Sequence, residues 1–312
     1  MSDLAAIGSS SYVPAVLNFT TEQLLDKVIN LTLYKADGSF DQILTPPPAQ
    51  LEGRKPTIRI KGKLVTQDTL LQVEIRVTNL YVNSPLSSYK HVDVEAGYAS
   101  AKLFAFGGDI LVAYQELPGP DGVTVFQMLL GSLSAWRTET FSGGYTAGQM
   151  LSSVLEDIAG RLGLTLQNNV PDQPIPINIQ FNGLTKDLLH HVKTLFTKYD
   201  PDTGEDQSVQ ICPYGDKLIC YLSHLGITEG IIYRLDFITH AKHNSAGFEI
   251  MAPWIAGLVP GGIILIDPKY FRQDFGGSQV AIGNKYRIFL IDFDFCTTDS
   301  TNMMDLLTVG AG

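Results

Sequence analysis

The chain has 312 residues, 45% hydrophobic and only 17% charged, and its 32 Asp and Glu outweigh 22 Lys and Arg for a formal net charge of −10. That length predicts two compact units, or one with a sizeable insert. The acidic balance, with no basic run, argues against a protein whose main task is gripping phosphates, and so small a charged fraction suits a surface covered by neighbours. The three cysteines, Cys212, Cys220 and Cys296, are too few and odd in number for a disulfide-stapled secreted fold, and read as buried thiols. Met1-Ser2-Asp3-Leu4 lacks the basic region of a signal peptide, and no apolar run approaches the ~18 residues of a membrane span, so neither is expected.

The first residues, through Ser9-Ser10-Ser11, carry no period and read as an arm that frays or docks on a neighbour. Ile29, Leu31 and Leu33 then alternate with Asn30 and Thr32 before Ala36-Asp37-Gly38, which predicts a strand and a hairpin turn. Pro46-Pro47-Pro48 cannot lie in a central strand, because proline lacks the ladder donor. After Ile58 and Ile60 comes the clearest strand, with Leu71, Val73, Ile75 and Val77 facing one way and Gln72, Glu74, Arg76 and Thr78 the other. Val92, Val94, Ala96 and Tyr98 repeat that period. Residues 104–114 read as two apolar runs interrupted by Gly107-Gly108-Asp109, and Val123-Thr124-Val125-Phe126 opens another strand after a Pro-Gly turn cluster. Five or more short strands in this stretch predict a small barrel or sandwich.

At Gly143-Gly144 the period changes. Ala147, Met150, Leu151, Val154, Leu155, Ile158 and Leu162 recur at helical spacing, Thr146 and Gln149 form a candidate capping box, and Gly163 is placed to end the helix. A second helix is predicted over 186–199, with Leu188, Leu189, Val192, Leu195, Phe196 and Tyr199 on one face and Asp200-Pro201 as its stop. Pro171 to Pro176 reads as an extended linker. Strand signals resume at Val209 as the start of a second sheet and continue to residues 286–295, where Phe289, Ile291, Phe293 and Phe295 are expected on one face and Ile288, Leu290, Asp292 and Asp294 on the other.

No catalytic constellation emerges, so no catalytic, cofactor-binding or metal-ligating residue is assigned. His240 and His243 have a spacing that would join two imidazoles on a helix, but their surroundings read as strand, and His224, Cys212 and Cys220 fall into no metal-site spacing. His190-His191 flanks the stripe of the second helix. Ser132 lacks the glycine of a nucleophile elbow, and Gly276-Gly277-Ser278 lacks the Lys of a phosphate loop. Asp292 and Asp294, two apart on a strand face, and Glu156-Asp157 are the paired carboxylates; a solvated face accounts for them, though two acids so spaced on one strand face could also serve a glycosidase or bind calcium.

Two phrases recur. Val92-Asp93-Val94-Glu95-Ala96-Gly97-Tyr98 is followed by Leu103-Phe104-Ala105-Phe106-Gly107-Gly108-Asp109-Ile110; more loosely, Leu258-Val259-Pro260-Gly261-Gly262-Ile263 leads to Tyr286-Arg287-Ile288-Phe289-Leu290-Ile291-Asp292-Phe293. In this order, with the strand 71–78 before them and the helical segments 147–162 and 184–196 between, they resemble the tail-hub proteins of contractile-tailed bacteriophages, a group related to late-control protein D and the VgrG spike proteins. The resemblance runs from about Val28 to Leu307; Gly262 stands where the family commonly has an acidic residue, and a glycine still suits that turn.

The fold class expected is α+β, mainly β with a smaller α part: two small tube-like β-barrels joined by a helical insert. The divisions are an N-terminal arm 1–24, a first barrel 25–142, a helical and linker insert 143–204 and a second barrel 205–312. The resemblance implies a non-enzymatic, structural baseplate hub in the virion tail, made in the bacterial host cytoplasm. It would form a homotrimeric, pseudo-six-fold ring between a hexameric tail tube protein and a trimeric central spike protein, beside other baseplate components. Genome DNA would pass through without specific binding, eased by like-charge repulsion. Two other readings are a tail-associated cell-wall hydrolase using Asp292 and Asp294, and a carbohydrate-binding tail adhesin with Trp136 and Trp254 as stacking platforms.

Overall fold

A computed structural model of the chain describes residues 16–18, 27–45, 56–65, 71–80, 84–98, 104–116, 122–131, 133–202, 206–227, 232–235, 240–243, 247–253, 258–266, 285–298 and 303–310. The sequence readings at residues 9–11, 46–48, Ser132, Trp254 and 276–278 lie outside them. Strand β1 (Val16–Asn18) precedes β2 (Lys27–Lys35), β3 (Phe40–Ile43), β4 (Ile58–Val65), β5 (Gln72–Thr78), β6 (Tyr89–Tyr98), β7 (Phe104–Gln115) and β8 (Val123–Leu130). The middle carries α1 (Leu133–Thr138), β9 (Thr140–Tyr145), α2 (Leu151–Arg161), β10 (Thr165–Asn169), β11 (Ile179–Leu184), α3 (Thr185–Leu195), β12 (Val209–Tyr214) and β13 (Lys217–Leu222). Then follow β14 (Ile232–Leu235), β15 (His240–His243), β16 (Gly247–Pro253), β17 (Ile263–Ile266), β18 (Lys285–Cys296) and β19 (Met303–Gly310). The chain is mainly β.

Fourteen strands form one sheet, in the order β1-β14-β17-β18-β4-β5-β8-β7-β6-β2-β3, with β19, β16 and β15 branching from β18. The period-2 patterns fix which side faces in: Leu71, Val73, Ile75 and Val77 are buried in a row, as are Val92, Val94, Ala96 and Tyr98. The predicted hairpin turn forms, with the Gly38 amide donating to the Lys35 carbonyl at 3.1 Å. The sheet is curled. Laid flat, β1 and β2 would be nine strand spacings apart, about 43 Å, yet the nine Cα steps from Asn18 to Lys27 reach at most about 32 Å. Tyr98 on β6 and Phe295 on β18, five strands apart in that order, meet edge to face at 5.7 Å across the interior.

The N-terminal and C-terminal strand groups join at one seam. Residues 59–65 of β4 pair antiparallel with 290–296 of β18, so that Gly62 faces Phe293 on one side and Val73 of β5 on the other. A Cβ on Gly62 would lie 2.8 Å from the Phe293 ring, so the glycine makes room for that ring beneath the seam. On the same edge of β18, just before β4 begins, sits the turn Val259-Pro260-Gly261-Gly262. The Gly262 amide closes it on the Val259 carbonyl at 3.0 Å, and Gly261 takes the positive φ (87°) that a type II turn requires after proline. Gly261 donates to the Ile288 carbonyl at 2.7 Å, and Ile288 donates back to Gly262 at 2.9 Å. A bulge between Ile288 and Leu290 resets the pleat there, which corrects the expected phase: Ile288 is buried and Phe289 is 43% exposed, while Ile291, Phe293 and Phe295 face the core. Similarly, β7 runs unbroken through Gly107-Gly108, because Gly107 makes room for the Asp93 and His91 side chains of β6 and Gly108 for the Leu129 backbone of β8, and a bulge at Leu111 absorbs the irregularity.

The middle segment builds its own core from α1, α2, α3, the β9–β11 pair and one face of the sheet β10-β13-β12. Here the sequence reading is corrected. Strands β12 and β13 do not begin the C-terminal sheet; they pair with each other and, through β13, in parallel with β10. Ile211, Leu218 and Cys220 face the helices, while Cys212, Tyr214, Ile219 and Tyr221 pack into the main core. With both faces covered, these strands read as continuous apolar runs. Helix α2 begins at Leu151, and its first turn is capped by tertiary contact: Asp172 accepts from the Ser152 amide at 3.0 Å and hydroxyl at 2.7 Å. The candidate capping box does not form, because Gln149 and Thr146 are joined only by a backbone turn. At the other end Gly163 works as expected, in a Schellman motif of Gly163 to Gly160 and Leu164 to Ala159. Helix α3 stops at Leu195, a turn short of the prediction, because Val209 and the Ser208 hydroxyl draw Phe196 and Lys198 into backbone pairing; Tyr199 is left 65% exposed.

Two outcomes follow. Gly62→Val destabilises the chain by about 1–3 kcal/mol through overpacking, and costs markedly less in a Phe293→Leu background, as a double-mutant cycle of urea unfolding will read. On α2, Asp157 accepts from Tyr145 at 2.7 Å and Arg161 at 3.1 Å; burial pushes its carboxyl up, but those two bonds outweigh it and hold the pKa below 3.8. Its stabilisation is therefore present above that ordinary value and lost as pH falls through the lowered one. Asp157→Asn reduces the difference in urea midpoint between pH 7 and pH 3 by a modest amount, since the group is 42% exposed.

Candidate functional site

The outer face of the seam carries the sequence's best pair of acids. Asp292 and Asp294 project from β18, in register with Lys63 and Lys61 of β4, and Glu74 of β5 lies across from Lys61. Arg59 grips Asp294 through two bonds, Nε to Oδ1 at 2.6 Å and Nη2 to Oδ2 at 2.5 Å. Farther along, Arg76 bonds Glu74 at 2.7 Å and Glu116 at 2.9 and 3.0 Å, and the Glu74 carboxylate holds its guanidinium above the ordinary value. The result is a ladder of alternating charge on solvated strands. Asp294 is paired with a guanidinium and one-third exposed, and it lacks the apolar pocket in which a carboxyl general acid sits.

On β6 and β7, His91 places Nδ1 2.9 Å from Asp109 and Nε2 3.1 Å from Asp93. Beside it Asp41 takes the Tyr89 hydroxyl and lies 3.5 Å from Lys35; burial foremost, then Asp41, pushes the Tyr89 phenol up to about 12. These contacts tie β2, β3, β6 and β7 together on their polar face.

A half-buried polar network that the sequence reading did not single out ties the middle segment to β18. Ser223 donates to Asp206 at 2.8 Å, the Ser208 amide donates to the same carboxylate at 2.9 Å, and Arg287 reaches Ser223 at 3.3 Å. Burial pushes the Asp206 carboxyl up, and the serine bonds outweigh it, leaving the pKa below the ordinary value. Burial pulls the Arg287 guanidinium down against the attraction of Tyr221 and Asp206. The only sequence hints were isolated polar residues at the ends of apolar strands.

The other candidates do not converge. Trp136 is 7% exposed in the middle core, so it cannot serve as a stacking platform for a glycan. His240 and His243 lie on a strand, not on the helix that their spacing would need to join two imidazoles. Cys212, Cys220 and Cys296 are buried, and the apolar surroundings of Cys220 push its thiol up. His190 and His191 are exposed on α3. Among the described residues no three His, Cys, Asp or Glu gather as a metal site would require. Among the described residues no helix is long and apolar enough to cross a membrane.

No protein-family model and no curated protein sequence matches the chain. Solved structures do. The 43 kDa tail protein of prophage MuSo2 from Shewanella oneidensis overlays with a TM-score of 0.55 at 10% identity, covering 91% of this chain and 97% of that one. A tail protein from Neisseria meningitidis MC58 overlays with a TM-score of 0.56 at 8% identity, covering 92% and 98%. An E. coli component of the type VI secretion system overlays at 0.48 with 10% identity, over 82% and 73%. The fold is that of phage tail proteins.

The two polar regions are expected to differ in energetic weight. Asp294→Ala on the exposed ladder changes stability by no more than about 1 kcal/mol. Ser223→Ala, which strips a partner from both Asp206 and Arg287 at a buried position, costs about 1–3 kcal/mol. Urea denaturation at neutral pH compares them directly.

Proposed function

We propose that this chain is the structural hub of a phage tail baseplate, three copies closing a pseudo-six-fold ring between a hexameric tail tube and a trimeric central spike. The observation that carries this reading is the overlay of more than nine-tenths of the chain on two tail proteins of nearly equal extent. The strand inventory supports it. Seven of the fourteen sheet strands, β2 to β8, come from the N-terminal part, and seven, β1 and β14 to β19, come from the two ends of the chain. Two similar groups per subunit are what a trimer needs to meet six-fold symmetry.

On this reading residues 25–142 are one tube-building unit, and the strands from Ile232 onward, with Val16–Asn18, are the other. The segment between them is a brace. The Asp292–Asp294 face is structural, and the net charge of −10 keeps DNA from adhering to the conduit as the genome leaves. Light scattering on the purified protein gives the mass of three chains, and averaged electron images show a ring with a central channel. A chain that stays monomeric, both alone and mixed with its tube and spike proteins, overturns the proposal.

A further inference from the structure

Five strands of one half of the main sheet recur in the other, in chain order and in pairing. The antiparallel contacts of β4 with β5, β5 with β8, β8 with β7 and β7 with β6 are matched by β15 with β16, β16 with β19, β19 with β18 and β18 with β17. The registers correspond as well. A bulge falls at Leu111 of β7 and at Phe289 of β18, each against the strand that follows. Two residues before it, Asp109 faces His91 and Arg287 faces Ile263; two residues after it, Ala113 faces Phe126 and Ile291 faces Leu306. Farther across the sheet, Lys61 faces Glu74 as Lys242 faces Glu249. Agreement over five strands is the mark of an internal repeat.

One contact of the set has no counterpart within the chain. Strand β18, 12 residues long, holds β19 on one edge; on the other it holds β17 at residues 285–287 and then β4 at 290–296, which is the seam. Its counterpart β7, also 12 residues long, holds β8 on one edge and β6 on the other at residues 104–109. Past the bulge, no described strand pairs with that second edge, and Leu111, Val112 and Tyr114 there are 38%, 44% and 37% exposed. Likewise β15, the counterpart of β4, pairs with β16 alone among the described strands. The chain thus carries one filled seam and the two separate halves of a second. An open edge of this kind is a template for another strand.

We propose that β15 of one copy of this chain pairs antiparallel with the open edge of β7 in a second copy, repeating between chains the β4–β18 seam that exists within one. Within the chain Lys61 lies opposite Asp294 and Gly62 opposite Phe293. Carried over by the repeat, that register sets Lys242 opposite Glu116 and His243 opposite Gln115. Lys242 and Glu116 have opposite charges, as Lys61 and Asp294 do, and such cross-strand neighbours favour pairing. Donor edge and acceptor edge lie on different strands, so the contact is head to tail, the kind that closes rings. The inference rests on the hub reading, and it names the surfaces by which three chains, each with two such units, join.

The test mixes two single variants of the full chain, Gln115→Cys and His243→Cys, and treats the mixture with a short thiol cross-linker while light scattering reads the native mass. The mass of three chains is expected, with a linked pair on a denaturing gel from the mixture and none from either variant alone, since the native cysteines are buried. Lys242→Glu and Glu116→Lys each raise the concentration needed for half-assembly at least tenfold, and the two together in one chain recover it, which a misfolded variant would not do. A three-chain mass with no link in the mixture, or a charge swap that recovers nothing, overturns the strand pairing and leaves the hub reading standing. A link from one variant alone means a two-fold contact and overturns the pairing too. A chain that stays monomeric, alone and with its tube and spike proteins, overturns both.

Discussion

The pairing of β4 with β18 is the constraint on which the architecture depends. It joins residues 235 positions apart, as between Arg59 and Asp294, and without it the two strand groups would be separate sheets with exposed edges. Its inner side requires Gly62, because Phe293 fills the space a side chain would take. Its outer side is a bidentate pair of modest strength, which specifies register more than it adds stability. The contact order of such a seam is high, so its formation comes late relative to the local hairpins on either side.

A second long-range device is the three-stranded sheet of the middle segment. Because β12 and β13 are buried on both faces, one sheet serves two cores, and a shift of either strand disturbs helices and main sheet together. The Tyr221 ring packs against Gly261, in the turn that docks on β18, and Arg287 reaches Ser223 at the end of β13. The middle segment is thus fastened to the sheet by packing and by a satisfied polar network. Such a joint suits a rigid brace.

Function and fold share one logic here. On the proposed hub reading, a protein that bears load between symmetric partners needs register, closure of edges and defined surfaces more than a pocket with displaced pKa values. The acids that could have suggested hydrolysis are instead matched with Arg59, Lys61, Lys63 and Arg76 on exposed strands.

Sequence alone determined what depends on local periodicity. The inward rows 71–77 and 92–98, the turn at Gly38, the stripe of α2 and its end at Gly163 were legible because a period of two or 3.6 and a positive-φ glycine act over a few residues. The tail-hub resemblance rested on the order of those same elements. Tertiary structure decided the rest. The cap of α2 comes from Asp172, beyond the helix's far end, so no local capping box could reveal it. The early stop of α3 comes from pairing with residues 207–209, and the reversed phase at Ile288 and Phe289 from a bulge against a turn. Whether Val209 to Leu222 joined the middle or the C-terminal sheet was undetermined by an apolar run, because a strand buried on both faces loses the alternation that tells its neighbours apart.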